Sequence, residues 1–171
     1  MNNRYLQAVC LALGLSVSML SFGPGVERAN AVARVVRPVT PWQVIHPFMQ
    51  PLTDYGSGHR GVDVAARSGK AIFAPFSGRI SWVGWVGTRR TISLTSFSGL
   101  VFEAEPACSK LGRGDDVIGG KPFARVCGSV GYTSHCAPTL CAHLGIRNSA
   151  GYFSIEALLG DLSPSRLGPN G

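Results

Sequence analysis

A chain of 171 residues and 18.1 kDa is long enough for one domain with a packed core and too short for two of ordinary size. With 45% hydrophobic and 15% charged residues, 22 glycines and 11 prolines, it fits neither disorder, coiled coil nor collagen, and reads as globular, loop-rich and β. The formal charge of +7 suits an acidic partner such as an anionic envelope polymer, but the Lys and Arg residues are scattered and mostly single, which argues against a nucleic-acid stripe.

At the amino end Arg4 precedes an apolar stretch from Tyr5 to Phe22, and Ala29-Asn30-Ala31 supplies a small-x-small cleavage pattern. Residues 1–31 are therefore expected to be a secretory signal peptide. No basic stop-transfer cluster follows, so cleavage after Ala31 is expected rather than a lasting membrane anchor. The product would be secreted or associated with the cell envelope. Its loss removes Arg4, Glu27 and Arg28 from 16 basic and 9 acidic residues, leaving 14 and 8, net +6. Residues 32–45, with Arg37-Pro38 and Pro41-Trp42, read as an extended leader into a domain over 46–162, and residues 163–171 as a flexible Pro/Gly-rich tail. His46 has no partner pattern around it and reads as a solvent-exposed histidine.

From Ala71 onward, short apolar or alternating runs are separated by glycines: 71–73, 79–86, 91–95, 100–104, 116–118, 123–126 and 143–147. Their β-branched and aromatic enrichment predicts an all-β domain with antiparallel sheets. One short helix is expected, Ser154 capping Ile155 to Leu159 before Gly160 stops it.

Four cysteines follow the signal: Cys108, Cys127, Cys136 and Cys141. An even number in an exported chain reads as two disulfides, with three possible connectivities, of which the simplest is local, Cys108 with Cys127 and Cys136 with Cys141.

The chemistry concentrates in Tyr55-Gly-Ser-Gly-His59-Arg-Gly-Val-Asp63-Val-Ala65. His59 and Asp63 offer nitrogen and oxygen donors suited to zinc, but a straight strand would hold them about 13 Å apart, so the segment must bend. Near the carboxyl end, Cys141 and His143 would share one face of a strand. His143 could complete a His/Asp/His set that leaves a fourth position open for water.

The order of these pieces resembles the LytM/lysostaphin-type zinc endopeptidases of peptidoglycan: the glycine-histidine-arginine-glycine-x-aspartate run at 58–63, Ala74-Pro75-Phe76-Ser77-Gly78, Gly114-Asp115-Asp116-Val117-Ile118-Gly119-Gly120 and Ala142-His143-Leu144-Gly145-Ile146-Arg147. The resemblance covers about residues 45–160. It implies an antiparallel sheet carrying a groove, of the duplicated hybrid motif type, with one Zn2+ held by His59, Asp63 and His143. It also implies hydrolysis of peptide bonds in bacterial cell wall. Two departures stand out. The family's first histidine of a His-x-His pair is Cys141 here, and a second catalytic histidine is missing from Ala104-Glu105-Pro106. His135, next to Cys136, is the expected substitute for proton handling. Glu105 reads as a charged edge-strand residue, with a general base as the alternative, and Cys141 could instead be a fourth metal ligand.

Two functions follow. One is a secreted zinc metalloendopeptidase acting on peptidoglycan cross-links or stem peptides. The other is a degenerate domain that binds peptidoglycan or regulates a wall hydrolase and keeps zinc for structure. Substrate choice is expected in the loop from Trp82 to Arg90, with Trp85 and Arg89-Arg90. Oligomeric state is not legible.

Overall fold

The computed structural model describes residues 35–53, 55–128, 136 and 140–160; the expected signal peptide, His135 and the expected tail lie outside the described residues. In chain order the strands are β1 (Val44–His46), β2 (Gly61–Ala65), β3 (Ala71–Phe73), β4 (Gly78–Val86), β5 (Arg89–Ser96), β6 (Val101–Glu105), β7 (Ala107–Cys108), β8 (Asp116–Val117), β9 (Pro122–Val126), β10 (Cys141–Asn148) and β11 (Gly151–Tyr152). Helix α1 (Ile155–Leu159) follows.

One antiparallel sheet has the order β1-β2-β10-β6-β5-β4-β8, with β11 pairing β10 at the side; a smaller sheet has the order β3-β9-β7. Alternation along the strands explains why the large sheet has two different faces. Val62, Val64, Phe102, Ala104, Ile92, Leu94, Leu144 and Ile146 point one way and are 0% exposed. Ile72, Phe123, Val126 and Ala107 of the small sheet enter the same apolar cluster, and the rings of Phe102 and Phe123 meet at 6.3 Å. The positions between them carry Asp63, His143, Glu103, Glu105, Thr91 and Ser93, so the other face is polar.

Register turns that polar face into rows. Asp63 and Glu105 both pair with His143, one from each side, and Gly61 and Glu103 likewise flank Gly145. β10, last of the long strands in sequence, is thus inserted between β2 and β6. Glu105 therefore does not lie on an edge strand as its sequence suggested: β6 has β10 on one side and β5 on the other, and Glu105 is 9% exposed.

The leader also joins the domain. Val39 is fully buried, and β1 pairs with β2 through a bulge between Val44 and His46. At the far end, Ser154 Oγ accepts from the Glu156 N–H at 3.2 Å and Gly160 closes α1 at φ 73°, a left-handed position that costs glycine little. Ile155 anchors the helix in the core. Two disulfides are present, Cys108–Cys127 and Cys136–Cys141. Among the described residues no helix is long and apolar enough to cross a membrane.

Candidate metal centre and groove

The bend demanded by the His59–Asp63 spacing occurs at Arg60. His59 belongs to a separate two-residue bridge, exchanging backbone hydrogen bonds with Met49 at 2.8 and 3.0 Å, before the chain enters β2 at Gly61. Gly61 allows this entry because a Cβ there would come within 2.5 Å of the Leu144 carbonyl oxygen and 2.7 Å of His143 Nε2. No side chain fits between β2 and the imidazole.

The turn brings His59, Asp63 and His143 together. His59 Nε2 lies 3.1 Å from His143 Nδ1 and 3.2 Å from Asp63 Oδ1, and the last two atoms are 2.9 Å apart. His59 Nδ1 lies 2.7 Å from the Pro47 carbonyl oxygen, which can only accept, so in the neutral ring that nitrogen carries the proton and Nε2 keeps its lone pair. A lone pair therefore faces a carboxylate oxygen at 3.2 Å, an arrangement that calls for a shared proton or cation. Zinc fits. Bonds of about 2.0–2.1 Å in a tetrahedron put neighbouring donors about 3.3 Å apart, close to the spacing found here. Asp63 is wholly buried, whereas the His59 and His143 side chains are 20% and 19% exposed and open toward the groove.

His46, read from sequence as an exposed histidine with no partner pattern, is part of this centre. Its Nδ1 lies 2.9 Å from Asp63 Oδ2 while its side chain stays 48% exposed. The bulge in β1 aims it there, re-directing a side chain as bulges do. Outer hydrogen bonds of this kind orient a ligand carboxylate. His46→Ala is expected to weaken zinc affinity about 10- to 100-fold with the fold intact, measured by competition with a chromogenic chelator. His46, Asp63 and Cys136 form a second potential donor group, but the Cys136 sulfur is bonded to Cys141 and is not a thiolate. The same bond removes Cys141 from the candidate fourth ligands.

Beside the centre runs a groove of about 640 Å³, lined on one side by His59 and Arg60 and on its floor by His143, Glu105, Glu103 and Thr91. Trp82 and Arg89 also line it, but the expected substrate loop is a hairpin, with Trp82 in β4, Arg89 in β5 and only residues 87–88 outside the strands. Trp85 does not line the groove. It is half-exposed and packs under the Arg90 guanidinium, 4.7 Å from its ring centre. Arg89 is ion-paired to Glu105 Oε1, and Thr91 Oγ1 donates to Glu105 Oε2 at 3.1 Å. Arg147 Nε donates to Glu103 Oε1 at 3.2 Å, and the Tyr152 hydroxyl donates to Glu103 Oε2 at 2.9 Å. Burial, followed by the neighbouring Glu103 charge, pushes the Tyr152 phenol above its ordinary pKa and keeps it a donor.

No family profile matches the chain. Proteins of Mycobacterium bovis and of two Mycobacterium tuberculosis strains, all described as uncharacterized, are 28% identical over 156 residues; this match takes in 89% of the chain but only 60% of each relative's length. The catalytic domain of the antimicrobial peptidase lysostaphin from Staphylococcus simulans superimposes with a TM-score of 0.58 at 20% identity, over 70% of this chain and 92% of that one. A zinc containing peptidase from Vibrio cholerae gives 0.57 at 15% identity, over 71% and 39%. A chain of the SpoIIQ–SpoIIIAH pore forming complex gives 0.59 at 14%, over 72% and 89%. The all-β fold is that of the LytM/lysostaphin-type peptidases.

Proposed function

We propose that this protein is an exported zinc metalloendopeptidase that hydrolyses peptide bonds in bacterial peptidoglycan, in cross-links or stem peptides. The observation that carries the proposal is the convergence of two imidazole nitrogens and a buried carboxylate oxygen on one point at the wall of an open groove. A purely structural zinc site is closed by four protein ligands, whereas this set supplies three, with the His59 and His143 side chains 20% and 19% exposed at the groove. The two disulfides suit an oxidising compartment outside the cytoplasm.

His59, Asp63 and His143 would hold the zinc ion, which would supply Lewis-acid polarisation of a carbonyl and acidification of a water. The Pro47 carbonyl fixes the His59 tautomer, and Asp63 is held from its outer side by His46. The groove positions an extended peptide with its scissile carbonyl near His143. His135 takes a proton from the attacking water and returns it to the leaving amine. Such general acid–base help is worth about 10²- to 10⁴-fold, so His135→Ala is expected to lower kcat by that factor with zinc content unchanged. Clearing of a peptidoglycan suspension by the zinc-loaded protein, its loss on chelation and its return with zinc is the test. Unchanged turnover in His135→Ala would remove that residue from the mechanism.

The second reading, a degenerate domain that binds peptidoglycan or regulates another wall hydrolase, is favoured by one specific observation. Neither family histidine stands where the resemblance places it: Cys141 is in a disulfide, and within Ala104-Glu105-Pro106 the Glu105 carboxylate is in an ion pair. A zinc-loaded protein that sediments with peptidoglycan but never clears it would establish that reading.

A further inference from the structure

Two arginines at the groove are each held by a glutamate that has no other evident task. Glu105 is nearly buried, which costs a carboxylate much of its hydration unless it is paired. Its two oxygens are committed to Arg89 and Thr91. Glu103 is held in the same way by Arg147 and Tyr152. In return, each glutamate fixes an arginine whose side chain remains about two-fifths exposed, 40% for Arg89 and 41% for Arg147. A guanidinium carries five N–H donors; Arg89 gives one to Glu105, while Arg147 gives one to Glu103 and also meets Tyr152, its Cζ 6.0 Å from that ring centre. The rest are available in a planar fork that matches a carboxylate.

We infer that the groove recognises an acidic peptide, with Arg89 and Arg147 as anchors for its free carboxylates. This deepens the proposed function by naming the substrate class, and it rests on that reading only for the identity of the peptide as wall-derived. Glu105 pairs across the sheet with His143, and adjacent strands are about 4.8 Å apart, so the guanidinium held by Glu105 sits within about 10 Å of the candidate metal ligands. An extended peptide rises about 3.4 Å per residue, which places the first carboxylate within three residues of the scissile bond. Arg147 lies four residues from His143 along β10, about 13 Å, and serves a carboxylate further out. Trp82, 45% exposed at the groove rim, offers an apolar wall for the peptide backbone.

The test is calorimetric binding of an uncross-linked wall stem tripeptide with free carboxylates, and of the same tripeptide fully amidated, to the zinc-loaded protein, with chromatography confirming that the peptide stays intact. Charge-assisted hydrogen bonds predict that the free acid binds about tenfold or more tightly than the amide. Arg89→Gln should remove most of that preference, Arg89→Lys should retain part of it, and Arg147→Gln should weaken the acid without affecting the amide. If Arg89→Gln strands Glu105 and unfolds the protein, the double variant Arg89→Gln/Glu105→Gln removes both charges and must still lose the preference. Equal affinity for acid and amide in the wild type overturns the inference. Preference for the acid in a protein that never cuts the wall polymer would sustain this site and refute the peptidase.

Discussion

Substituting Asp63 by alanine is expected to abolish stoichiometric zinc binding while leaving the sheet folded. Asp63 is completely buried, its Oδ1 facing His59 and His143 and its Oδ2 facing His46. Loss of an outer partner costs a metal site about 10- to 100-fold, so loss of a ligand that also orients two others should exceed about 100-fold. The fold has less to lose. A buried ionised group carries a desolvation penalty, and the strands on either side are held by Val62, Val64, Leu144 and Ile146 on the opposite face. In calorimetry the metal-free variant should therefore melt close to the metal-free wild type. Zinc should raise the midpoint of the wild type alone. A ligand at about 1,000 times its Kd adds about 4 kcal/mol, a shift large enough to read directly. A variant that gained the same stabilisation from zinc would place the metal elsewhere.

Removing the Cys108–Cys127 bridge should be the largest purely structural loss. It closes a separation of 19 residues, against 5 for Cys136–Cys141, and chain-entropy arguments assign about 3 kcal/mol to the longer loop and about 2 kcal/mol to the shorter. The longer bridge also ties β7, only two residues long, to the chain just beyond β9, where the small sheet has little other pairing to retain it. Cys108→Ser/Cys127→Ser is expected to lower Tm by roughly 10 °C and Cys136→Ser/Cys141→Ser by less. The opposite ranking in thermal unfolding would contradict this account of what holds the small sheet.

Much of the fold was legible because its signals are local. Ser154 and Gly160 bracket α1 at both ends, and the glycine-spaced runs at 79–86 and 91–95 fall within β4 and β5. What escaped depends on strand order. Glu105 looked like an edge residue because nothing in its neighbourhood announces that β10, some forty residues later, will pair beside it. His46 looked unpartnered because its contact with Asp63 is made across a ladder and through a bulge, and Val44-Ile45-His46 is too short to alternate visibly. The arginine pairing followed the same rule. Arg89 stood out within the expected substrate segment, but its hold on Glu105 spans 16 residues and Arg147's hold on Glu103 spans 44, so neither could be read from spacing.

The central claim is that the groove beside His59, Asp63 and His143 hydrolyses wall peptides. Its most direct test is mass spectrometry of fragments released from purified peptidoglycan by the zinc-loaded, disulfide-intact protein, with Asp63→Ala as control. The account predicts fragments with new peptide amino termini, all derived from one type of bond and absent with the variant. Intact peptides after prolonged incubation with protein that carries one zinc and stays bound to the polymer would contradict it.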